Sequence, residues 1–235
     1  MNKKATMTDI VPSACKKTDS GYSVDLAQMP ENPDRYRLMI QSFVPRPIAW
    51  VLTENENGSY NLAPFSYSAA VAPTPMTFLF SCGMRRGGGV NKDEPAKKDT
   101  WANIERTGHC VLHIPSVDNI EAVNNSAAGL DIGASEAEQF GIETVPFGDF
   151  PLPRVKAAPI AFACTLNGVT EIGDPPLGLV RVEAQHIYLA EHIVEEVDGN
   201  NIHINEKAID PLTRLGKTKY GSLGDILDIG PPPKI

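Results

Sequence analysis

The sequence predicts a mainly β chain with short helices, of the α+β class, built around an antiparallel barrel. Runs rich in β-branched and aromatic residues recur along most of the chain, and Gly, Pro and Asn turn signals separate them. Segments with helical character are short and lie between these runs. Since no internal repeat and no linker divides the sequence, this pattern is typical of one barrel that carries helical insertions.

The first half of the chain supplies a hairpin and a further strand. Residues 47–53 form a strand candidate, an Asn-Gly turn follows at 57–58, and residues 59–63 begin the return strand. Residues 76–82 are the next strand, and the Pro-Thr-Pro before them favours an extended entry.

Short helices and further strands follow. We expect helices at 100–106, with Thr100 as the N-cap, at 120–128, and at 135–140 before a glycine stop at Gly141. The remaining strands are expected at 110–115, at 160–169 and, as a pair, within 178–193. The chain as a whole then reads as a polar arm over residues 1–30 with a short strand at 22–26, one domain over 31–220, and a tail over 221–235.

Charge and cysteine usage narrow the class of function. The 235 residues carry a net charge of −8 and have a pI near 5.1, which gives no sign of a nucleic-acid surface or an anionic-membrane surface. No stretch approaches the roughly 18 to 20 apolar residues that span a bilayer. The first residues lack the apolar region of a signal peptide, and four scattered cysteines favour free thiols over disulfides or a zinc site. These features indicate a cytoplasmic protein.

The first candidate site is the segment 61–68, which follows the Asn-Gly turn. Pro64 lacks a backbone donor, so we expect regular strand pairing to pause there and leave backbone groups for a planar ligand. Ser66 and Ser68 add hydroxyls that suit ribityl or phosphate oxygens. The alternative is a bulged edge strand with two solvated serines.

The second candidate site is Lys98-Asp99-Thr100, at the predicted start of a helix. Free N–H groups, the positive end of the helix dipole, a lysine and a threonine hydroxyl together favour a phosphate. The alternative is a capped surface helix with solvated lysines. The two segments complement each other, because one offers ring and ribityl contacts and the other offers phosphate contacts.

Several segments, taken in their order along the chain, resemble the flavin reductase-like family of FMN-binding split barrels, which includes flavoredoxin-type proteins. The resemblance runs from about residue 35 to about residue 220. The segments that carry it are Arg46-Pro47-Ile48-Ala49-Trp50-Val51, Asn61-Leu62-Ala63-Pro64-Phe65-Ser66-Tyr67, Pro73-x-Pro75, Lys98-Asp99-Thr100-x-x-Asn103-Ile104, Glu136-x-x-x-Phe140-Gly141-Ile142 and Arg214-Leu215-Gly216-x-x-x-Tyr220.

The resemblance implies a six-stranded antiparallel split barrel that forms a homodimer, with FMN near the dimer interface. It implies ring or ribityl contacts, phosphate contacts and a closing contribution from the tail. The implied cofactor-binding residues are Thr53, Asn61, Leu62, Ala63, Ser66, Ser68, Lys98, Asp99, Thr100, Arg214 and Tyr220. Among them, Asn61 and Ala63 would contact the ring or ribityl chain, and Lys98 and Thr100 would hold the phosphate.

The activity that the resemblance implies is hydride transfer from NADH or NADPH to N5 of FMN. Electrons would then pass to free flavin, to a small acceptor, or to a partner oxygenase or redox protein. Two alternatives stay open, an FMN-binding electron carrier or store without nicotinamide activity, and an oxidase or oxygenase use of FMN. No catalytic side chain and no metal site are singled out by the residues.

Three other features have less specific interpretations. The glycine-rich loop at 83–95 is longer than a compact family loop, so its function stays open and its Arg85 and Arg86 compete with Lys98 as phosphate partners. His109 and His113 share one strand face and are expected to be structural or solvated. The two tryptophans, at 50 and 101, are expected in the core.

Overall fold

The computed structural model describes residues 14–29, 34–85 and 96–231. Most of the glycine-rich loop at 83–95, including Arg86, therefore lies outside the described residues. The chain divides into two compact units, one formed by residues 1–44 and 215–219 and the other by residues 45–214 and 220–235. The predicted boundaries after residues 30 and 220 stay a prediction.

The smaller unit consists of a hairpin and one helix within its described residues. Strand β1 (Cys15–Lys17) pairs antiparallel with β2 (Tyr22–Val24), which confirms the predicted short strand near residue 22. Helix α1 covers Tyr36–Ser42. Gly216 lies against this helix, and a Cβ there would come within 2.9 Å of Gln41 Cγ.

The larger unit holds the barrel. Its elements in the described residues are, in chain order, β3 (Arg46–Pro47), β4 (Ala49–Glu54), β5 (Tyr60–Phe65), β6 (Ser68–Pro73), β7 (Met76–Cys82), α2 (Asp99–Thr107), β8 (His109–Ile114), α3 (Ile120–Asn125), α4 (Glu136–Gln139), β9 (Thr144–Val145), β10 (Arg154–Val155), β11 (Ile160–Ile172), β12 (Leu177–Leu189), β13 (Val194–Asp198), β14 (Asn201–Ile204), α5 (Glu206–Ile209), β15 (Thr213–Arg214) and β16 (Tyr220–Gly221).

The main sheet is an open antiparallel barrel with the strand order β5-β4-β8-β11-β12-β7-β6. It confirms the predicted mainly β split barrel, and within the described residues the sheet has seven strands. The two edge strands, β5 and β6, are consecutive in the chain, so the split in the barrel lies where the chain passes from Phe65 to Ser68. This junction falls inside the first candidate segment.

Both faces of the sheet are covered, which explains why β4 is almost wholly apolar. Along β4, Ala49 and Val51 join the core inside the barrel, whereas Trp50 and Leu52 join a second core on the outer face. A strand that is buried on both faces reads as a continuous hydrophobic run. Trp101 belongs to the inner core and is 0 % exposed, so both tryptophans are core residues as predicted.

The structure corrects the expected pause at Pro64. Strand β5 stays paired with β4 through that position, with Trp50 opposite Pro64 and Ala49 opposite Phe65. The N–H of Leu62, two residues earlier, points away from β4 to a side chain outside the sheet. Because strand residues alternate, Pro64 also faces the open edge, where a missing N–H costs no ladder bond.

Two further expectations need correction. Helix α2 begins one residue before Thr100, and its N-cap is Lys98 in an extended conformation. In place of a pair of strands, the segment 178–193 holds the single long strand β12, which ends at Leu189 and pairs with both β11 and β7, followed by a 3-10 turn at Glu191–Ile193. Within the described residues, no helix is long and apolar enough to cross a membrane.

Candidate functional site

Four buried polar side chains from β4, β5 and α2 form one hydrogen-bonded group, the Asn61 cluster, which comprises Thr53, Asn61, Thr100 and Asn103. Asn61 Nδ2 donates to Thr53 Oγ1 at 3.1 Å and to Thr100 Oγ1 at 2.8 Å. Asn103 Nδ2 donates to Thr53 Oγ1 at 3.2 Å and to Asn55 Oδ1 at 2.8 Å. None of the four is more than 6 % exposed. The cluster therefore ties the first turn of α2 to the β4–β5 hairpin.

Local structure explains why these residues meet. Thr53 lies directly opposite Asn61 in the antiparallel ladder. Thr100 and Asn103 are three residues apart in α2, so they share one helix face. An amide nitrogen has two hydrogens, and both hydrogens of Asn61 Nδ2 are used within the cluster.

The start of α2 presents one uncompensated cation. Lys98 is exposed at the N-cap, and within residues 14–29, 34–85 and 96–231 its ammonium makes no hydrogen bond or ion pair. Asp99, the next residue, forms an ion pair with Arg85 and accepts the Gly133 N–H at 3.3 Å. The Asp99 carboxylate is thus neutralised, and the lysine and the helix N-terminus leave this end positive.

A buried thiol lies beside this helix end. Desolvation raises the pKa of Cys82 to about 12, against the opposing effects of the Lys98 charge and a hydrogen bond from the Trp101 backbone. Because the thiolate is the reactive form of cysteine, this side chain stays an unreactive core residue at neutral pH. Cys110 and Cys164 are also free and buried, and they lie opposite each other on β8 and β11.

A second polar group, the Ser66 corner, lies where β5 passes into β6 and comprises Arg46, Ser66, Ser68, Arg214 and Tyr220. Arg46 Nε donates to Ser66 Oγ at 3.4 Å, and Arg46 stands opposite Arg214 in the β3–β15 ladder. The Arg214 guanidinium lies 4.4 Å from the centre of the Tyr220 ring. The hydroxyl of Ser68 donates to a carbonyl of β3 at 3.2 Å. Ser66 and Ser68 are both half-buried.

The predicted cofactor residues thus divide between the two ends of β5. Ser66 is the fifth residue after Asn61, a distance of about 17 Å along an extended strand. Ala63 lies between them, half-buried on the barrel face. Leu62 points into the outer core and is 0 % exposed, so its side chain is not available to a ligand on the barrel face.

Some residues of these groups had no role assigned from the sequence. Arg46, Asn103 and Glu136 lie within the resembling motifs, and the three-residue spacing of Asn103 from Thr100 was the available signal for that residue. Glu136 is 6 % exposed and accepts the Leu62 N–H at 2.9 Å through Oε2. That contact joins residues 74 apart in sequence, and no local pattern predicts it.

A family model described as a flavin reductase like domain matches residues 41–206, which is more than half of the chain. The chain belongs to the flavin reductase-like family. Over 211 residues it is 30 % identical to an uncharacterised protein of Halalkalibacterium halodurans, a match that covers 86 % of this chain and 95 % of that protein.

Two solved structures show the same fold. Nitrilotriacetate monooxygenase component B from Bacillus cereus has a TM-score of 0.78 and 29 % identity, over 88 % of this chain and 98 % of its own. A structure from Shewanella frigidimarina NCIMB 400, described as a candidate flavin reductase with a split barrel domain, has a TM-score of 0.71 and 19 % identity, over 87 % and 94 % of the two chains. The family resemblance and the split barrel are therefore confirmed.

The groups along β5 fit the chemistry of a flavin nucleotide. One end offers a helix N-terminus and the exposed Lys98 for an anion, and the other offers hydroxyls at Ser66 and Ser68. Between them Ala63 presents only a methyl group, which leaves the backbone accessible beside it. A ligand with a planar polar ring, a polyol chain and one phosphate has a chemical partner for each of these groups.

Proposed function

We propose that this chain is an FMN-dependent oxidoreductase that takes hydride from NADH or NADPH and passes electrons to free flavin or another acceptor. The observation that carries the proposal is the 2.8 Å hydrogen bond from Asn61 to Thr100. It holds the start of α2, with its exposed Lys98, directly beside the edge strand of the split barrel. Membership of a flavin-binding family supports the same conclusion.

Lys98 and the first N–H groups of α2 would bind the FMN phosphate, because a lysine and a helix N-terminus both favour an anion. Asp99 does not oppose this, since Arg85 neutralises its carboxylate. Thr100, which is buried in the first turn of α2, would help to hold the phosphate at the same helix end. The chain's contribution at this end is to bind and orient the phosphate.

The rest of β5 and the tail would hold the remainder of the cofactor. Asn61, Ala63 and the Leu62 backbone would lie on the ring side, with Thr53 behind them. The Ser66 corner would supply Ser66 and Ser68 to the ribityl chain, with Arg214 and Tyr220 closing over it. FMN, when bound, supplies the hydride-accepting chemistry at N5, so no side chain is assigned as a general acid or base.

We also propose a cytoplasmic homodimer that delivers electrons to a partner such as an oxygenase. The edge strand β6 supports the homodimer, because Val71 within it is 51 % exposed, Met76 at the start of β7 is 45 % exposed, and the outer edge of β6 pairs with no strand in the described residues. The likeness to a monooxygenase component supports the partner. The buried free thiols support a reducing compartment.

Reconstitution with FMN followed by anaerobic mixing with NADH, and separately with NADPH, tests the activity. The visible absorbance of the bound flavin is expected to bleach with at least one of the two donors. A yellow protein that neither donor bleaches would favour the electron carrier or store. A protein that takes up no FMN would contradict both.

Lys98→Ala tests the phosphate assignment. Loss of one charged hydrogen bond is expected to weaken FMN binding by about 1 to 3 kcal/mol. The matched control is Lys97→Ala, because Lys97 is already paired with Glu105 at 2.7 Å and should contribute little to FMN binding. Equal FMN affinities in the two variants would remove Lys98 from the site.

A further inference from the structure

Strand β5 is an edge of the sheet, so its outward backbone groups need partners that no strand among residues 14–29, 34–85 and 96–231 supplies. Two consecutive outward residues find them on α4 and its N-cap. The N–H of Leu62 donates to Glu136 Oε2 at 2.9 Å, and the carbonyl of Tyr60 accepts from Ser135 Oγ at 2.6 Å. These two side chains take the place of a neighbouring strand at this stretch of the edge.

The choice of a carboxylate here is unusual. Glu136 is 6 % exposed, and burial raises its pKa above the usual range, although the Leu62 N–H and the charge of Arg85 act in the opposite direction. Burying a carboxylate is costly unless strong hydrogen bonds compensate. Among the described residues, the Glu136 carboxylate accepts a hydrogen bond from a backbone N–H and forms no ion pair.

The same segment also holds the start of α2. Gly133, three residues before Glu136, donates its N–H to Asp99 at 3.3 Å, and its carbonyl accepts from Asn57 at 3.0 Å and from Ser59 at 3.3 Å. Residues 133–136 therefore contact the turn of the β4–β5 hairpin, the edge of β5 and the first residue of α2.

Leu62 is the residue between Asn61 and Ala63, and both neighbours face the barrel side where the cofactor is proposed to bind. Movement of the Leu62 backbone would move the Asn61 side chain, which holds Thr100 and hence the start of α2. The ring side and the phosphate side are thus both connected to the hydrogen bond of the Leu62 N–H.

We propose that Glu136 is a positioning residue for the flavin site, which it sets by clamping the Leu62 N–H at the edge of β5. The inference rests on the proposed FMN binding and adds a residue that contacts no cofactor atom. The positioning role requires a side chain of the length of Glu with an acceptor oxygen at position 136, and the charge of the carboxylate matters less than these two properties.

A series at this position tests the proposal. Glu136→Gln keeps the side-chain length and an acceptor oxygen. Glu136→Asp keeps the charge but shortens the side chain. Glu136→Ala removes the acceptor oxygen, the length and the charge. The readouts are the FMN dissociation constant, the shape of the bound-flavin absorbance spectrum, and the thermal midpoint of the FMN-free protein. Glu138→Ala is the matched control, because Glu138 lies on the same short helix with its side chain exposed.

FMN binding is expected to weaken about tenfold or more in Glu136→Ala and in Glu136→Asp, to stay within about threefold of the original in Glu136→Gln, and to be unchanged in Glu138→Ala. The Ala and Asp variants should also alter the bound-flavin spectrum. If Glu136→Ala does not fold, the contrast between Asp and Gln decides alone.

Three results would overturn the inference. Glu136→Asp could bind FMN as well as Glu136→Gln does, or Glu136→Gln could lose affinity as Ala does. The Ala and Asp variants could also lose thermal stability while their folded fraction binds FMN with unchanged affinity and spectrum, which would show a structural role only. Failure of the unmodified protein to bind FMN is a separate outcome, because it would overturn the proposed function itself.

Discussion

The Asn61 cluster and the Ser66 corner lie at opposite ends of one strand, yet they are built differently. The cluster joins amides to hydroxyls that are at most 6 % exposed, and both hydrogens of Asn61 Nδ2 are used inside it. The corner combines half-buried hydroxyls with two guanidinium groups and a tyrosine ring. The difference indicates that the buried cluster is the scaffold that holds the start of α2, whereas the corner is open enough for its hydroxyls to contact a ligand directly.

The largest expected effect comes from breaking the scaffold with Asn61→Ala. Removal of this amide leaves the buried Thr100 hydroxyl without its donor and Thr53 with only the donor from Asn103, which should destabilise the fold by about 3 kcal/mol. Chemical denaturation measures the change. Asn125→Ala, an exposed asparagine in α3, is the control and should stay within about 0.5 kcal/mol. A loss below about 1 kcal/mol for Asn61→Ala would contradict the scaffold role.

A second prediction concerns the pH dependence of folding stability, which the buried side chain of His113 should control. This side chain is 0 % exposed, accepts the Val155 N–H at 2.9 Å and lies 2.8 Å from the Trp50 carbonyl. Burial, aided by the charge of Arg154, lowers its pKa to about 4 from 6.5.

The unfolded chain therefore takes up the proton first as the pH falls. Stability is fully present above about pH 6.5 and is lost towards about pH 4, by up to about 3 kcal/mol from this group. Denaturation curves at several pH values measure the slope. His113→Gln should reduce the dependence of the free energy of unfolding on pH between about pH 4 and pH 6.5. An unchanged slope would contradict the lowered pKa of His113.

The smallest expected effect on stability comes from the corner, with Ser66→Ala. Loss of this half-buried hydroxyl should change unfolding by less than about 0.5 kcal/mol but weaken FMN binding by about 1 kcal/mol. Chemical denaturation measures the change in the free energy of unfolding, and FMN titration measures the change in affinity. Ser20→Ala, an exposed serine of the smaller unit, should change neither. A Ser66→Ala protein that loses stability but keeps its FMN affinity would reverse the comparison.

Sequence patterns predicted the elements of the site well, because those elements are local. The Asn-Gly turn placed the β4–β5 hairpin, and the segment from Lys98 onwards placed the start of α2 within one residue. The strand at 76–82 matches β7 at both ends.

Contacts across the fold were beyond the reach of those patterns. The Asn61–Thr100 bond joins residues 39 apart, and the Glu136–Leu62 bond joins residues 74 apart. The expected pause in strand pairing at Pro64 was wrong for the same reason. The effect of its missing N–H depends on which edge of β5 is open, and that edge is set by contacts across the fold. Thr100 was expected as a cap and a phosphate ligand, whereas its hydroxyl accepts from Asn61; its contact with phosphate stays a prediction.

FMN titration into the purified protein, followed by removal of free flavin and an absorbance spectrum, tests the central claim most directly. The account predicts a protein that keeps its yellow colour after that step, with affinity weakened by Lys98→Ala and by Ser66→Ala but not by Lys97→Ala. A colourless protein, or equal affinity in all three variants, would contradict it.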